Sequence, residues 1–140
     1  MRTFLVISVT VVSTLCVAWA QQSVPTSRLP FSPARQAGDT LYLSGQLART
    51  PEGEEVRDSI AAETRQAMKN LERTLTANGY TWKDVVNVTV YLNDIEDYHD
   101  MNAAYAEFFD GEFPARACVG GVDIVFGFRV EISAIAHRAR

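Results

Sequence analysis

Two side chains of opposite charge stand near the end of this 140-residue chain, Arg116 and Glu131. Arg116 lies in the stretch Phe113-Pro-Ala-Arg-Ala-Cys-Val-Gly-Gly121, behind a short acidic loop of Asp110, Gly111 and Glu112. Pro114 fixes its own φ and favours an extended residue before it, so the arginine should open a strand. No acid adjoins it within that stretch, so its charge needs an anion from elsewhere. A bound carboxylate would fit, because a guanidinium grips carboxylates through a planar two-point fork. An ion pair with a distant Asp or Glu is the plainer alternative, and Glu131 is the first candidate. Glu131 sits between Val130 and Ile132 inside a second strand. Consecutive strands should bring the two groups close. If a ligand takes the arginine, Glu131 is left in a partly dry site and suits proton transfer.

Other chemistries find little support. After the first twenty residues the chain holds one cysteine, Cys118, so an intrachain disulfide cannot form. His99 and His137 have no ligand partner at useful spacing, so no metal is assigned. The formal net charge is −4 with no lysine or arginine cluster, which argues against a nucleic-acid partner. Met1-Arg2, the apolar run Phe4 to Val17 and Ala18-Trp-Ala20 have the pattern of a secretory signal peptide. Residues 1–20 are therefore expected to be cleaved, leaving an exported, periplasmic or secreted protein with no membrane association. Removing Arg2 makes the net charge one unit more negative.

The elements that must position the pair follow from periodicity. Residues 21–30 are polar and proline-containing and should lie extended over the surface. Phe31, the lone aromatic there, reads as a plug for a core edge. Gly38-Asp39 turns into the alternating strand Thr40 to Ser44, and Gly45-Gln46 follows at once. A glycine there marks close approach of a backbone or a ligand. The spacing of Ile60, Thr64, Ala67, Met68, Leu71 and Leu75 predicts a helix over about 58–78, capped by Asp58 or Ser59 and stopped at Asn78-Gly79. Val85 to Leu92 is a strand, with Val86, Val88, Val90 and Leu92 on one face and Val85, Asn87, Thr89 and Tyr91 on the other. That second, mixed face is a plausible subunit contact. A second helix opens at Asp94 to Asp97, with Met101, Ala104, Tyr105 and Phe108 inward and Asn102 beside them. The last strand is read over Phe126 to Ile135. The order strand–strand–helix–strand–helix–strand–strand gives an α+β sandwich, one mixed sheet with two helices on one face.

On that frame four segments together resemble the Rid family of YjgF-like imine deaminases. They are Phe31-Ser-Pro-Ala with Ser44-Gly-Gln46; Asp84-Val-Val with Val88-Thr-Val-Tyr-Leu92; Met101-Asn-Ala-Ala-Tyr-Ala-Glu-Phe-Phe109; and Pro114-Ala-Arg-Ala-Cys118 with Val130-Glu-Ile-Ser-Ala-Ile-Ala136. The resemblance covers about residues 30–138, and the domain is read over residues 31–140. It implies a homotrimer with clefts between subunits, and hydrolysis of 2-imino or enamine acids to 2-oxo acids and ammonia without a cofactor. It implies that Arg116 clamps the substrate carboxylate with the Cys118 backbone amide, and that Glu131 positions water and shuttles protons. Ser44 and Gly45 would line the cleft, with Asn102 at its edge and Phe31 where studied deaminases carry a tyrosine. Val119 to Gly127 also departs from the family's acidic, proline-containing segment. The alternatives are a non-catalytic trimer that binds small carboxylate metabolites in the same clefts, and a stress chaperone.

Overall fold

The computed structural model describes residues 30–138, so the signal segment 1–20 and nearly all of the extended segment 21–30 lie outside the described residues. Strands β1 (Ala34–Ala37) and β2 (Thr40–Gln46) form a hairpin across Gly38-Asp39. Gly38 has φ 57°, the left-handed geometry that tight hairpin turns demand. Helix α1 (Ile60–Ala77) starts at Ser59, whose side chain accepts from the Ala62 amide, and ends before Gly79 at φ 77°. Strand β3 (Val85–Leu92), helix α2 (Tyr98–Ala106), strand β4 (Ala115–Gly120) and strand β5 (Val130–His137) complete the domain. Single 3₁₀ turns at Trp82–Asp84 and Ile95–Asp97 lead into β3 and α2.

The sheet order is β1-β2-β5-β3-β4, antiparallel except for the parallel β3–β4 pair. Both helices cover the same face. Leu41, Val88, Val90, Leu92 and Ile132 from the sheet meet Ala67, Met68, Leu71 and Met101 from the helices, all fully buried. Each large aliphatic side chain removed from water there contributes roughly 2 kcal/mol. Two buried polar groups fix the helix against the sheet's neighbours. Glu63 on α1 accepts from the Arg129 amide at 2.8 Å, just before β5. Asn70 donates to the Leu47 and Arg49 carbonyls at 2.9 and 2.8 Å, just after β2.

The structure corrects several expectations. β3 has the expected limits, but Val85 is buried and Val86 is 47% exposed, because the β3–β5 register shifts between Val85 and Asn87. A run of valines cannot reveal such a shift. The last strand starts at Val130 rather than Phe126. Phe126 has φ 60°, which no strand residue adopts, and the Arg57 guanidinium holds the Phe126 and Gly127 carbonyls, each at 2.7 Å. Phe128 is buried, in a small separate core with Ala48 and Ile124. Phe31 is 58% exposed, so it plugs no core edge.

Candidate functional site

Arg116 and Glu131 do not meet within one chain. β3 runs between their strands, and the register separates their faces. Arg116 pairs with Val88, which is fully buried under the helices, whereas Glu131 pairs with Tyr91, which is 38% exposed on the opposite face. Paired residues in neighbouring strands share a face, so the cation points to the helix side and the carboxylate to the open side. The expectation of one intrachain constellation is overturned by strand order: β4 enters parallel beside β3, and β5 returns on the far side of it.

Each group instead heads a cluster of its own. On the helix side, Arg116 donates from an Nη2 amine to the Asn102 Oδ1 at 2.6 Å. Its guanidinium carbon lies 4.7 Å from the centre of the Tyr105 ring and 5.9 Å from that of Tyr98. All three partners come from α2. Among the described residues no carboxylate lies within ion-pair distance of Arg116; the charges nearby are paired elsewhere, as Glu107 is with Arg65 at 2.6 Å. The cation faces a hollow of about 420 Å³ lined by Asn102, Tyr105, Ala106, Phe113 and Pro114. Cys118, two residues on and on the same face, packs against the core. Burial pushes its thiol up, against the opposing pull of the Arg116 charge, so it stays protonated at neutral pH.

On the open side, the β2–β5 register shifts between Leu43 and Gln46, so Ser44 and Gly45 together face Ser133. This bulge carries Gly45 under the Glu131 carboxylate. A Cβ at position 45 would stand 1.9 Å from Glu131 Oε1, a separation that only glycine avoids. Glu131 forms none of the ion pairs among the described residues. The Ser44 hydroxyl donates to the Ser32 carbonyl at 2.6 Å, which leaves its lone pairs as acceptors only. Phe31 and Ser44 share a shallow hollow with Arg35 and Tyr42.

The sequence-predicted residues therefore fall into two sets. Arg116, Asn102 and Cys118 lie together, and so do Glu131, Gly45, Ser44 and Phe31, on the other side of the sheet's mid-plane or its rim. Tyr105 and Tyr98, which back the arginine, are not among the sequence-predicted site residues. Their spacing to Asn102, three residues after it and four before, places all three on one helical face and could have found them.

A family model described as endoribonuclease L-PSP matches residues 21–138. The chain is similar to the human 2-iminobutanoate/2-iminopropanoate deaminase, 39% identical over 108 residues that cover 76% of this chain and 79% of that protein. Among solved structures it is similar to the YjgF gene product of E. coli, with a TM-score of 0.76 and 32% identity over 82% of this chain and 93% of that one. It is also similar to E. coli TdcF with bound serine, with a TM-score of 0.75 and 29% identity over 79% of this chain and 89% of that one.

Proposed function

The chain belongs to the Rid family, the YjgF-like proteins of the endoribonuclease L-PSP group, and from that premise we propose that it hydrolyses 2-imino acids to 2-oxo acids and ammonia. One observation carries the reading. A partly buried arginine is held by an asparagine and an aromatic face, with no carboxylate paired to it among the described residues, so its charge is free to hold an incoming acid.

The reaction needs that cation and a proton carrier on either side of one small planar substrate. Arg116 holds the carboxylate. Glu131 orients a water against the imine carbon and takes a proton as the new C–O bond forms. That proton goes to nitrogen and gives the neutral tetrahedral adduct, with one hydroxyl and one amine. Glu131 then carries the hydroxyl proton to nitrogen as the C=O bond forms, the C–N bond breaks and ammonia leaves. The Gly45 backbone lies beside the carboxylate and so beside the reacting carbon. Such imines hydrolyse unaided, and acid–base help of about 10²–10⁴ suffices.

Because the two groups face opposite sides of one sheet, the working cleft must lie between copies of the chain. A homotrimer accounts for the open sheet face, where Tyr42 on β2 stands exposed, as do Tyr91 and Val119 toward the unpaired edge of β4. Arg116, Asn102 and Cys118 would come from one copy, and Glu131, Gly45, Ser44 and Phe31 from the next. Export after loss of residues 1–20 belongs to the same proposal.

The group's description also names RNA cleavage, but the net charge is negative and Arg49 and Arg57 are both paired with Glu55, which leaves little cationic surface for phosphates. The test is 2-iminopropanoate generated from alanine by an amino-acid oxidase, with semicarbazide as a competing trap. Wild type should win imine from the trap, and Arg116→Ala should not. Equal trapping with both proteins rejects the deaminase. Binding of pyruvate by wild type without turnover would leave a carboxylate-binding protein instead.

A further inference from the structure

The way Arg116 is held carries an inference about Tyr105, and it rests on the deaminase reading only for its kinetic consequence. A guanidinium at the edge of a sheet has several rotamers and four bonds of freedom, and an arginine that must grip a planar carboxylate needs its fork fixed in direction. In most proteins a carboxylate does this. Here a carboxylate would neutralise the charge that the ligand needs. The chain uses two neutral holders instead. Asn102 accepts one Nη2 hydrogen at 2.6 Å and so sets the fork's edge. The Tyr105 ring, 4.7 Å from the guanidinium carbon, backs the cation with its electron-rich face. Tyr105 is 4% exposed and is itself locked by Phe109, with ring centroids 4.9 Å apart, so the surface it offers is rigid.

The tyrosine hydroxyl takes no part. It is buried without a hydrogen-bond partner among the described residues. We propose that Tyr105 is a positioning residue, whose ring and not whose hydroxyl orients Arg116 toward the substrate carboxylate while leaving the positive charge uncompensated. An arginine so placed holds the carboxylate alike in the ground state and in the transition state. Losing the ring should therefore raise KM and spare kcat.

The experiment compares wild type with Tyr105→Phe and Tyr105→Leu in the full assembled protein, with two readouts. The first is the Arg116 Nε–H resonance in a proton–nitrogen spectrum, identified by its disappearance in Arg116→Lys. A ring beneath the guanidinium shifts it upfield of the exposed arginines; the shift should persist in Tyr105→Phe and vanish in Tyr105→Leu. The second is 2-iminopropanoate hydrolysis, for which Tyr105→Leu should raise KM about fivefold with kcat within twofold, and Tyr105→Phe should match wild type. An unshifted wild-type resonance overturns the proposal by itself, whether or not the protein is a deaminase. An unchanged KM in Tyr105→Leu, or an equal loss in Tyr105→Phe, overturns it as well. If wild type turns over no imine, the deaminase reading fails and the resonance alone decides the role of Tyr105. If Tyr105→Leu does not fold, the wild-type and Tyr105→Phe spectra still decide it.

Discussion

The Arg116 cluster and the Glu131 cluster reach similar ends by opposite means. Around Arg116 the work is done by side chains of one helix: an asparagine oxygen and an aromatic ring direct a long, flexible cation. Around Glu131 the work is done by backbone. A bulge in β2 and a residue without a side chain open the space that the carboxylate occupies. A charged group can thus be aimed by adding holders or by removing an obstacle. The two clusters are also on opposite faces, so neither can act on a ligand of the other within one chain.

That separation is the first thing to break. Arg116→Ala and Glu131→Gln should each lose activity by at least about 10²-fold, since under the proposed mechanism the first removes the grip on the substrate carboxylate and the second the proton carrier. Co-expressed with different tags and purified as mixed oligomers, the two inactive variants should regain activity. In a closed trimer that carries both tags, whichever variant is in the majority, about a third of the sites would pair an intact Arg116 with an intact Glu131 from the next copy. Mixed oligomers that stay silent would mean that the clusters do not complete one another across copies.

The next largest effect tests the backbone device. Gly45→Ala places a methyl carbon 1.9 Å from the present position of Glu131 Oε1, so the carboxylate must move. Gly45 does not have a left-handed backbone, so the fold should tolerate the alanine. The expected result is a kcat about 10²-fold lower with an unchanged melting temperature, because a displaced carboxylate is a badly oriented one. Activity within a fewfold of wild type would show that the Glu131 position matters little.

How legible this was depends on what each residue's surroundings supply. Helix α1 was readable end to end because its apolar stripe, its Ser59 cap and its glycine stop are all local signals. The limits of β3 were readable for the same reason. The faces of β4 were not: in Ala-Arg-Ala-Cys-Val-Gly small residues fall on both sides, and only pairing with Val88 puts Arg116 under the helices. Strand order was equally hidden, since periodicity describes a strand and not its neighbours. The start of β5 was misread because Phe126 lies in a run of β-formers, and what bends it is Arg57, 69 residues earlier in the chain. The resemblance names candidate residues for the site, but not the sheet face that each one occupies.

A smaller effect separates the clusters by pH. Burial pushes the Tyr105 hydroxyl from its ordinary value near 10 up to about 12, although the Arg116 charge pulls the other way. A phenol with a raised folded pKa stabilises the protein fully below pH 10, and that contribution disappears as the pH rises through about 12. Wild type should therefore lose about 2 kcal/mol more stability between pH 9 and pH 12 than Tyr105→Phe does, measured by chemical denaturation at each pH. The same comparison made with Ser44→Ala should show no difference, because the alkaline weakness belongs to the Arg116 cluster. Parallel losses in wild type and Tyr105→Phe would place it elsewhere.

The smallest effect weighs the two kinds of aiming directly. Asn102→Ala removes the side-chain hydrogen bond that Arg116 donates among the described residues, at 2.6 Å, and a bond to a charged group is worth about 1.5–3 kcal/mol when it is lost. The cation stays stacked on Tyr105 but can swing in the plane of the ring, so KM should rise roughly tenfold with little change in kcat. Ser44→Ala removes a hydroxyl whose hydrogen is already spent on the Ser32 carbonyl, while the bulge that seats Gly45 is set by main-chain register. It should cost no more than about threefold, the scale of a neutral exposed hydrogen bond. If Ser44→Ala proved the costlier of the two, side chains would direct both clusters, and the contrast between a helix that holds and a backbone that yields would be lost.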